Sequence, residues 1–318
     1  MKAASNTLVT GASGFIGQRL LRPYDRALVR SASGLPNAVV GDLLNPGSLA
    51  AACQGVDTVF HCAGYAHAFA STNSDTHWRI GFEGTRNLLM AAGEAGVRRF
   101  VFLSSVKAMA EPGSSCVDED WPGESNSSYG KAKRAAEVTV LDAGERYGMH
   151  VVNLRLAMVY GRGGQGNLER MARGIAAGWF PSLPETGNRR SLIHVDDVVE
   201  VTRLVAAQPA AKGRTYIIAG ARAYSGREIY DTIRKVLGKP PARYYVPEWF
   251  LRSCGRAGDI MGLLPGHPFP LNSEIVDKLL CSACYLPDRI SQELGWSAKT
   301  ALTDGVMEML GVSCRVRV

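Results

Sequence analysis

Asn6-Thr7-Leu8-Val9-Thr10-Gly11-Ala12-Ser13-Gly14-Phe15-Ile16-Gly17 is the stretch on which the fold turns. A short apolar strand runs into a turn with glycines at steps of three, and a helix follows. Gly11 permits the tight turn, Gly14 lets the backbone approach a pyrophosphate, and Gly17 lets the helix pack closely on a sheet. The helix start then offers N–H groups and partial positive charge to phosphate oxygens. Three glycines alone are a weak signal, compatible with a merely tight turn. Directly after the first strand they point to a dinucleotide site built from Gly11, Ser13, Gly14, Phe15, Ile16 and Gly17.

The same punctuation recurs downstream. Ala38-Val39-Val40, Thr58 to Cys62, Phe100 to Leu103 and Val151 to Leu156 are compact runs rich in β-branched or aromatic residues. Helical composition separates them, as in Gly84 to Ala95 and Tyr129 to Tyr147. Strands alternating with helices imply an α/β fold, a doubly wound parallel sheet of Rossmann type buried on both faces. After Gly161 the rhythm loosens: residues 161–190 are rich in Gly and Arg, with Pro181 and Pro184. Ser191 to Leu204 reads as a strand turning into a helix, Thr215 to Ile218 as another strand, and the chain from Ala221 as mostly helical. The division that follows is a dinucleotide-binding domain over 1–160, revisited at about 191–220. A smaller, mostly helical substrate domain takes 161–190 and 221–318.

Composition narrows the class. With 318 residues, 46% hydrophobic and 20% charged, the chain is an ordinary folded protein with a sizeable core. Its net charge of +7 comes from 36 basic and 29 acidic residues. The basic residues are scattered, without an arm or finger spacing, so a cleft for phosphorylated ligands explains the excess better than nucleic acid. Seven cysteines with Cys281-x-x-Cys284 as the one close pair suit no zinc site, and no metal is expected. They read as reduced, mostly buried thiols of a cytoplasmic protein. No apolar run nears the length of a membrane span, and no signal peptide precedes the first strand.

Chemistry enters at Tyr129-Gly130-Lys131-Ala132-Lys133, which sets Tyr129 and Lys133 on one helix face. A phenol is a poor acid–base group at neutral pH, and a neighbouring ammonium lowers its pKa by favouring the phenolate. Among eleven tyrosines only Tyr129 has Lys at the fourth following position. Alone the pair suits a surface helix. However, Ser104-Ser105 closes a strand at the sheet edge where ligands of such folds bind, and Ser105 can polarise a substrate oxygen. An NAD site usually carries an acidic residue at the end of the second strand. Here Ala27-Leu28-Val29 ends in Arg30, which favours a 2′-phosphate and hence NADP over NAD, although Pro23 leaves the strand register open.

Together these residues resemble the extended short-chain dehydrogenase/reductase superfamily over essentially the whole chain. The glycine pattern falls on Gly11, Gly14 and Gly17, and the Ser/Tyr/Lys triad on Ser105, Tyr129 and Lys133. By the same resemblance, Gly41-Asp42-Leu43 matches the adenine-contacting segment, so Asp42 and Leu43 would touch the cofactor. Val59 to Gly64 matches the strand beside the cofactor, bringing in Ala63 and Gly64. Gly84 to Leu89 looks like the helix before the catalytic strand, and Val159 to Gly163 like the turn into a substrate domain. The resemblance further implies a UDP-sugar substrate held by Ser105, Lys107, Asn167, Leu168 and Arg190, and a homodimer. Ser104 to Ala108 and Gly164 to Asn167 look most like bacterial enzymes acting on UDP-N-acetyl-6-deoxyhexosamines for surface polysaccharide.

Departures also inform. Gly81 stands where the family usually has Asn, and Met109 and Met158 depart from residues common near the substrate. Val106 and Lys107 replace the Asp-Glu pair that 4,6-dehydratases need, which argues against elimination. His194 reads as a packed strand residue, Asp196 and Asp197 as helix caps, and Tyr65 and His67 as loop residues that touch either sugar or solvent. The implied function is reduction of a 4-keto sugar nucleotide with NADPH. Two alternatives stand beside it: a 4-epimerase with tightly held NAD, and a non-catalytic NADP-binding sensor.

Overall fold

The computed structural model describes residues 6–64, 74–262 and 272–312. Strand β1 (Thr7–Thr10) feeds α1 (Phe15–Leu20), which stops ahead of Pro23, and β2 (Arg26–Val29) and β3 (Ala38–Val40) follow. Next come α2 (Pro46–Cys53), β4 (Thr58–His61), α3 (Ser74–Trp78), a π-helical turn (Arg79–Glu83) and α4 (Gly84–Glu94). Strand β5 (Arg99–Ser105), the short β6 (Cys116–Val117), α5 (Ser128–Tyr147) and β7 (His150–Leu156) complete the first half. The second half holds β8 (Met158–Tyr160), α6 (Asn167–Ala177), β9 (Leu192–His194), α7 (Val195–Ala207) and β10 (Arg214–Ile218). It ends with α8 (Gly226–Val236), α9 (Glu248–Met261), α10 (Ser273–Leu280), β11 (Cys284–Tyr285), α11 (Asp288–Leu294) and α12 (Leu302–Leu310).

Seven parallel strands form one sheet in the order β10-β7-β5-β4-β1-β2-β3. The order reverses between β1 and β4, and in open α/β sheets the crevice at that switch point holds the ligand. Val9 pairs with Ala27, which settles the register left open by Pro23 and leaves Arg30 as the first residue past β2.

The apolar strand runs are explained by a core on each face. Val9, Val101, Leu103 and Val152 pack with Val198, Val201 and Val205 of α7. Their alternating neighbours Leu8, Phe100, Phe102 and Val151 pack with Leu49, Leu88 and Val140 of α2, α4 and α5. Period-two alternation on a doubly covered sheet requires this division. A third core lies apart from the sheet, where Leu168 and Ile175 of α6 meet Ile229 and Ile233 of α8, Leu251 of α9 and Val306 of α12.

The expectation of reduced, mostly buried thiols is corrected. Cys116 and Cys284 form a disulfide across 168 residues. The cause is the parallel pairing of β6 with β11, which sets the two cysteines opposite each other with Cα atoms 4.5 Å apart, within bridging range. Among the described free cysteines Cys53 is buried, Cys62 and Cys254 are half-buried, and Cys281 is exposed. No helix of the described residues is long and apolar enough to cross a membrane.

Candidate active site

The site forms where β4, β5 and α5 converge. Ser105 ends β5, and its hydroxyl accepts from Lys107 N at 3.2 Å, capping the short turn Val106–Ala108. Helix α5 begins at Ser128, capped by Ser127, whose hydroxyl accepts from Gly130 N at 3.0 Å. Tyr129 therefore stands in the first turn, with Lys133 one turn and Glu137 two turns further along the same face.

The Ser105 hydroxyl lies beside the Tyr129 phenol. Burial pushes the phenol up to about 12, and the neighbouring Ser105 hydroxyl opposes that rise. Tyr129 is thus neutral, a proton donor rather than a phenolate. The group that opposes the rise is Ser105 and not, as the spacing of Tyr129 and Lys133 suggests, the lysine, because Lys133 directs its ammonium elsewhere. Lys133 Nζ donates to Leu103 O at 2.9 Å and lies 4.5 Å from the centre of the Phe102 ring. Burial brings Lys133 down to about 8, with Glu137 and then Cys62 opposing, so the ammonium stays charged at neutral pH. A β-carbon on Gly64 would lie 3.6 Å from Lys133 Nζ, which places the lysine against the segment following β4. The ring of His77 packs edge-on to Tyr129 at 5.7 Å.

Behind the lysine is a buried polar cluster that sequence reasoning missed. Ser104 Oγ donates to Glu137 Oε1 at 2.6 Å, and Arg155 donates to both Glu137 oxygens, with Nη2 at 2.8 Å from Oε2. Pairing of Ser104 with Arg155 across β5 and β7 aligns the donors. A second chain of bonds runs from the phosphate turn to α4. Thr10 Oγ1 meets His61 Nδ1 at 2.7 Å, His61 Nε2 meets Thr85 Oγ1 at 2.9 Å, and Thr85 donates to Gly81 O at 2.7 Å. Burial, with the Lys133 charge adding to it, lowers His61 to about 3, so this imidazole is neutral.

The glycine turn has the tightness that dinucleotide loops need. A β-carbon on Gly11 would lie 2.7 Å from Ala63 N, and one on Gly17 would lie 2.1 Å from Gly11 O. Gly14 differs: it is exposed, and a β-carbon there would meet only Gly11 O, at 3.1 Å. As N-cap of α1, Gly14 offers no side-chain acceptor to the first-turn N–H groups. Ser13 is exposed, Phe15 and Ile16 are half-buried, and Ala63 N donates to Thr10 Oγ1 at 3.2 Å. Asp42 is exposed and its carboxylate accepts from Leu44 N. Arg30 is exposed beyond β2. The residues present fit a dinucleotide along the switch point, from the glycine turn to Lys133.

The substrate-side residues are mixed. Lys107 pairs with Glu111, whose carboxyl is held below its usual range first by Lys107, then by Lys278 and Arg190. Arg190 Nη1 donates to Cys281 O at 2.8 Å, and burial lowers its pKa. Lys107 and Arg190 thus flank one carboxylate. Asn167 is exposed at the start of α6. The side chain of Leu168 is buried in the third core, so a ligand there would meet its backbone. The side chain of Leu43 likewise packs on Gly84, whose β-carbon would lie 2.9 Å from Leu43 Cβ. Gly81, which stands for the usual Asn, lies in the π-helical turn facing Ala132. Tyr65 and His67 lie outside the described residues.

His194 is buried and packs edge-on against Tyr160, and its side chain caps α7 by accepting from Asp196 N. The cap role expected of Asp196 and Asp197 therefore falls to His194. Asp197 instead accepts from Lys299 N and Thr300 N, while Asp196 pairs with Arg19. His194, Asp196 and Glu308 bring potential ligand atoms within 4.8 Å of one another. The Arg19 guanidinium bonds both carboxylates, so a cation already stands among them.

Comparison with known proteins identifies the family and the fold. The sequence model of the NAD dependent epimerase/dehydratase family matches residues 7–219. A UDP-glucose 4-epimerase of Vibrio cholerae is 26% identical, covering 96% of this chain and 94% of its own. An N-acetyl-alpha-D-glucosaminyl-diphospho-ditrans,octacis-undecaprenol 4-epimerase of Escherichia coli O157:H7 is 24% identical, over 95% and 93%. The solved structure of MoeE5 with UDP-glucose and NAD superposes with a TM-score of 0.75 at 24% identity, covering 96% of this chain and 98% of that one, a likeness of fold.

Proposed function

This chain belongs to the NAD-dependent epimerase/dehydratase family, and on that footing we propose that it is an oxidoreductase acting at C4 of a nucleotide sugar, reducing a UDP-4-keto-6-deoxy-N-acetylhexosamine. The observation that carries the reading is the placement of Ser105 beside a neutral, half-buried Tyr129 on the helix that also carries Lys133. A nicotinamide held there would supply hydride to C4. Tyr129 gives its phenolic proton to the oxygen at C4, and Ser105 polarises that oxygen, as proton transfer from a positioned acid requires. Lys133, charged below about 8, supplies positive charge beside Gly64 and orients the cofactor's ribose. Gly11, Ser13, Gly14, Phe15, Ile16 and Gly17 hold the diphosphate; Asp42, Leu43, Ala63 and Gly64 flank the remainder.

The division of labour follows the chain. Residues 1–160 with about 191–220 hold the dinucleotide; 161–190 and 221–318 take the sugar nucleotide, with Lys107, Asn167 and Arg190 directed to its polar groups. Arg30 favours NADPH and net reduction. Epimerisation at the same carbon is the second reading, favoured by the end-to-end match to the Vibrio cholerae 4-epimerase. A homodimer is part of the same proposal, and sedimentation checks it.

One experiment separates the readings. The purified protein is given NADPH with a UDP-4-keto sugar and, separately, a UDP-hexosamine that carries a hydroxyl at C4, and absorbance and the configuration at C4 are followed. Loss of one NADPH per product supports reduction. Inversion at C4 without net cofactor loss, with NAD released from the denatured protein, replaces it by epimerisation. Binding of neither dinucleotide would sink both.

A further inference from the structure

The described surface carries one apolar feature that the active site does not use. Helix α9 buries Leu251, Gly255 and Gly258, and the small residues let it lie close to α10; a β-carbon on Gly255 would be 3.0 Å from Val276 Cγ2. The opposite face exposes large apolar residues among polar ones. Trp249, Ser253, Arg256 and Ile260 fall on one stripe at helical spacing, with Phe250, Ala257 and Met261 beside it. Trp249 is 68% exposed, Ile260 69%, Phe250 and Met261 each 48%. The surface continues past the helix start, where Val246 N donates to Ser182 O and Ser182 Oγ to Tyr244 O. Those bonds bring Tyr244, 85% exposed, alongside the segment following Trp179, 70% exposed.

Charge says what covers this face. Residues 167–180 and 231–262 contain eight Lys and Arg against four Asp and Glu. The acids of α9 are engaged away from the apolar stripe: Glu248 pairs with Arg252, and Asp259 accepts from Ser273 N. Arg243 and Arg256 are exposed, and neither has an ion-pair partner among the described residues. A second copy docked face to face would bring like charges together, which disfavours it. Large aromatics interleaved with unpaired arginines suit a surface apolar in depth and anionic at its rim, the pattern of helices lying in a lipid interface.

We infer that the outward face of α9, with Trp179 and Tyr244, seats this protein on an anionic lipid surface. The helix, roughly 21 Å long at 1.5 Å per residue, lies flat with Trp249, Phe250, Ile260 and Met261 among the acyl chains. Arg243 and Arg256 meet headgroup phosphates. The assignment is independent of the reaction proposed above, since none of these residues belongs to the catalytic machinery.

Co-sedimentation tests it, using the full chain with vesicles of phosphatidylcholine alone and of phosphatidylcholine with phosphatidylglycerol. The protein binds the anionic vesicles, more weakly as salt rises. The W249S/F250S variant loses at least about tenfold in affinity, and R243S/R256S does likewise, both keeping thermal stability because the positions are exposed. Absence of binding to anionic vesicles overturns the assignment, as does equal binding to neutral ones or by either variant. A dimer that W249S/F250S dissociates, with no vesicle binding, assigns the face to a second copy instead. Dinucleotide titration of each variant shows that the active site is untouched.

Discussion

A β-carbon added to Gly130 would lie 2.0 Å from the main-chain oxygen of Lys107. The helix that carries Tyr129 therefore rests directly on the turn that follows Ser105, and no side chain fits between them. This contact brings two hydroxyls, those of Ser105 and Tyr129, together from distant parts of the chain. Gly130→Ala forces α5 away from that turn. Displacement of about 1 Å costs catalysis on the order of 10²-fold, while overpacking costs about 1–3 kcal/mol of stability. Steady-state kinetics beside urea unfolding separate the two effects. A variant with unchanged kcat would mean that the contact does not position Tyr129.

Tyr129→Phe removes the phenolic oxygen and leaves the ring against His77. Turnover falls by about 10²- to 10⁴-fold, the worth of a positioned acid–base group. Dinucleotide affinity, followed by fluorescence titration, stays within about twofold, since the glycine turn is untouched. Retained turnover would remove Tyr129 from the mechanism, whereas dinucleotide binding without turnover in the unsubstituted protein would favour a non-catalytic sensor.

Arg30 lies exposed, one residue past β2, where a charge-assisted hydrogen bond to a 2′-phosphate is worth about 1.5–3 kcal/mol. Arg30→Ser weakens NADPH binding at least about tenfold and leaves NADH binding unchanged. Equal loss for both dinucleotides would show that the residue does not read the 2′-phosphate.

Much of this was legible in the sequence because it rests on local periodicity. The apolar runs at Phe100–Leu103 and Val151–Leu156 announce strands buried on both faces, and the parallel sheet follows. Tyr129 and Lys133 share a face by the geometry of any helix. What escaped depends on tertiary contacts. The Cys116–Cys284 pair needs β6 beside β11, 168 residues apart. Glu137 is visibly in phase with Lys133, but its burial beside Arg155 needs the pairing of β5 with β7. The burial of the Leu168 side chain was legible too: with Met171, Ala172 and Ile175 it forms the apolar stripe of an amphipathic helix.

Lys133 shows the cost of building such a site. Its ammonium is almost wholly buried, at 5% exposure, and burial lowers it from 10.5 to about 8, with Glu137 and Cys62 resisting. A basic group less basic in the folded chain than in the unfolded one destabilises the fold while it is charged in both, and the penalty fades across the range where only the unfolded chain holds the proton. That penalty is complete below the folded value, shrinks as pH rises from about 8, and is gone above 10.5. Its size is roughly 3 kcal/mol. Lys133→Met keeps the length of the side chain and removes the charge, at the loss of the bond to Leu103 O, about 1 kcal/mol. The variant is therefore inactive yet more stable at neutral pH by about 2 kcal/mol, and its advantage disappears in alkaline buffer. Urea unfolding of both proteins at pH 7 and above pH 10.5 measures this. A gain independent of pH, or a loss at neutral pH, would show that the buried ammonium is not the source of the strain, and that the lysine stands in its site without an electrostatic penalty.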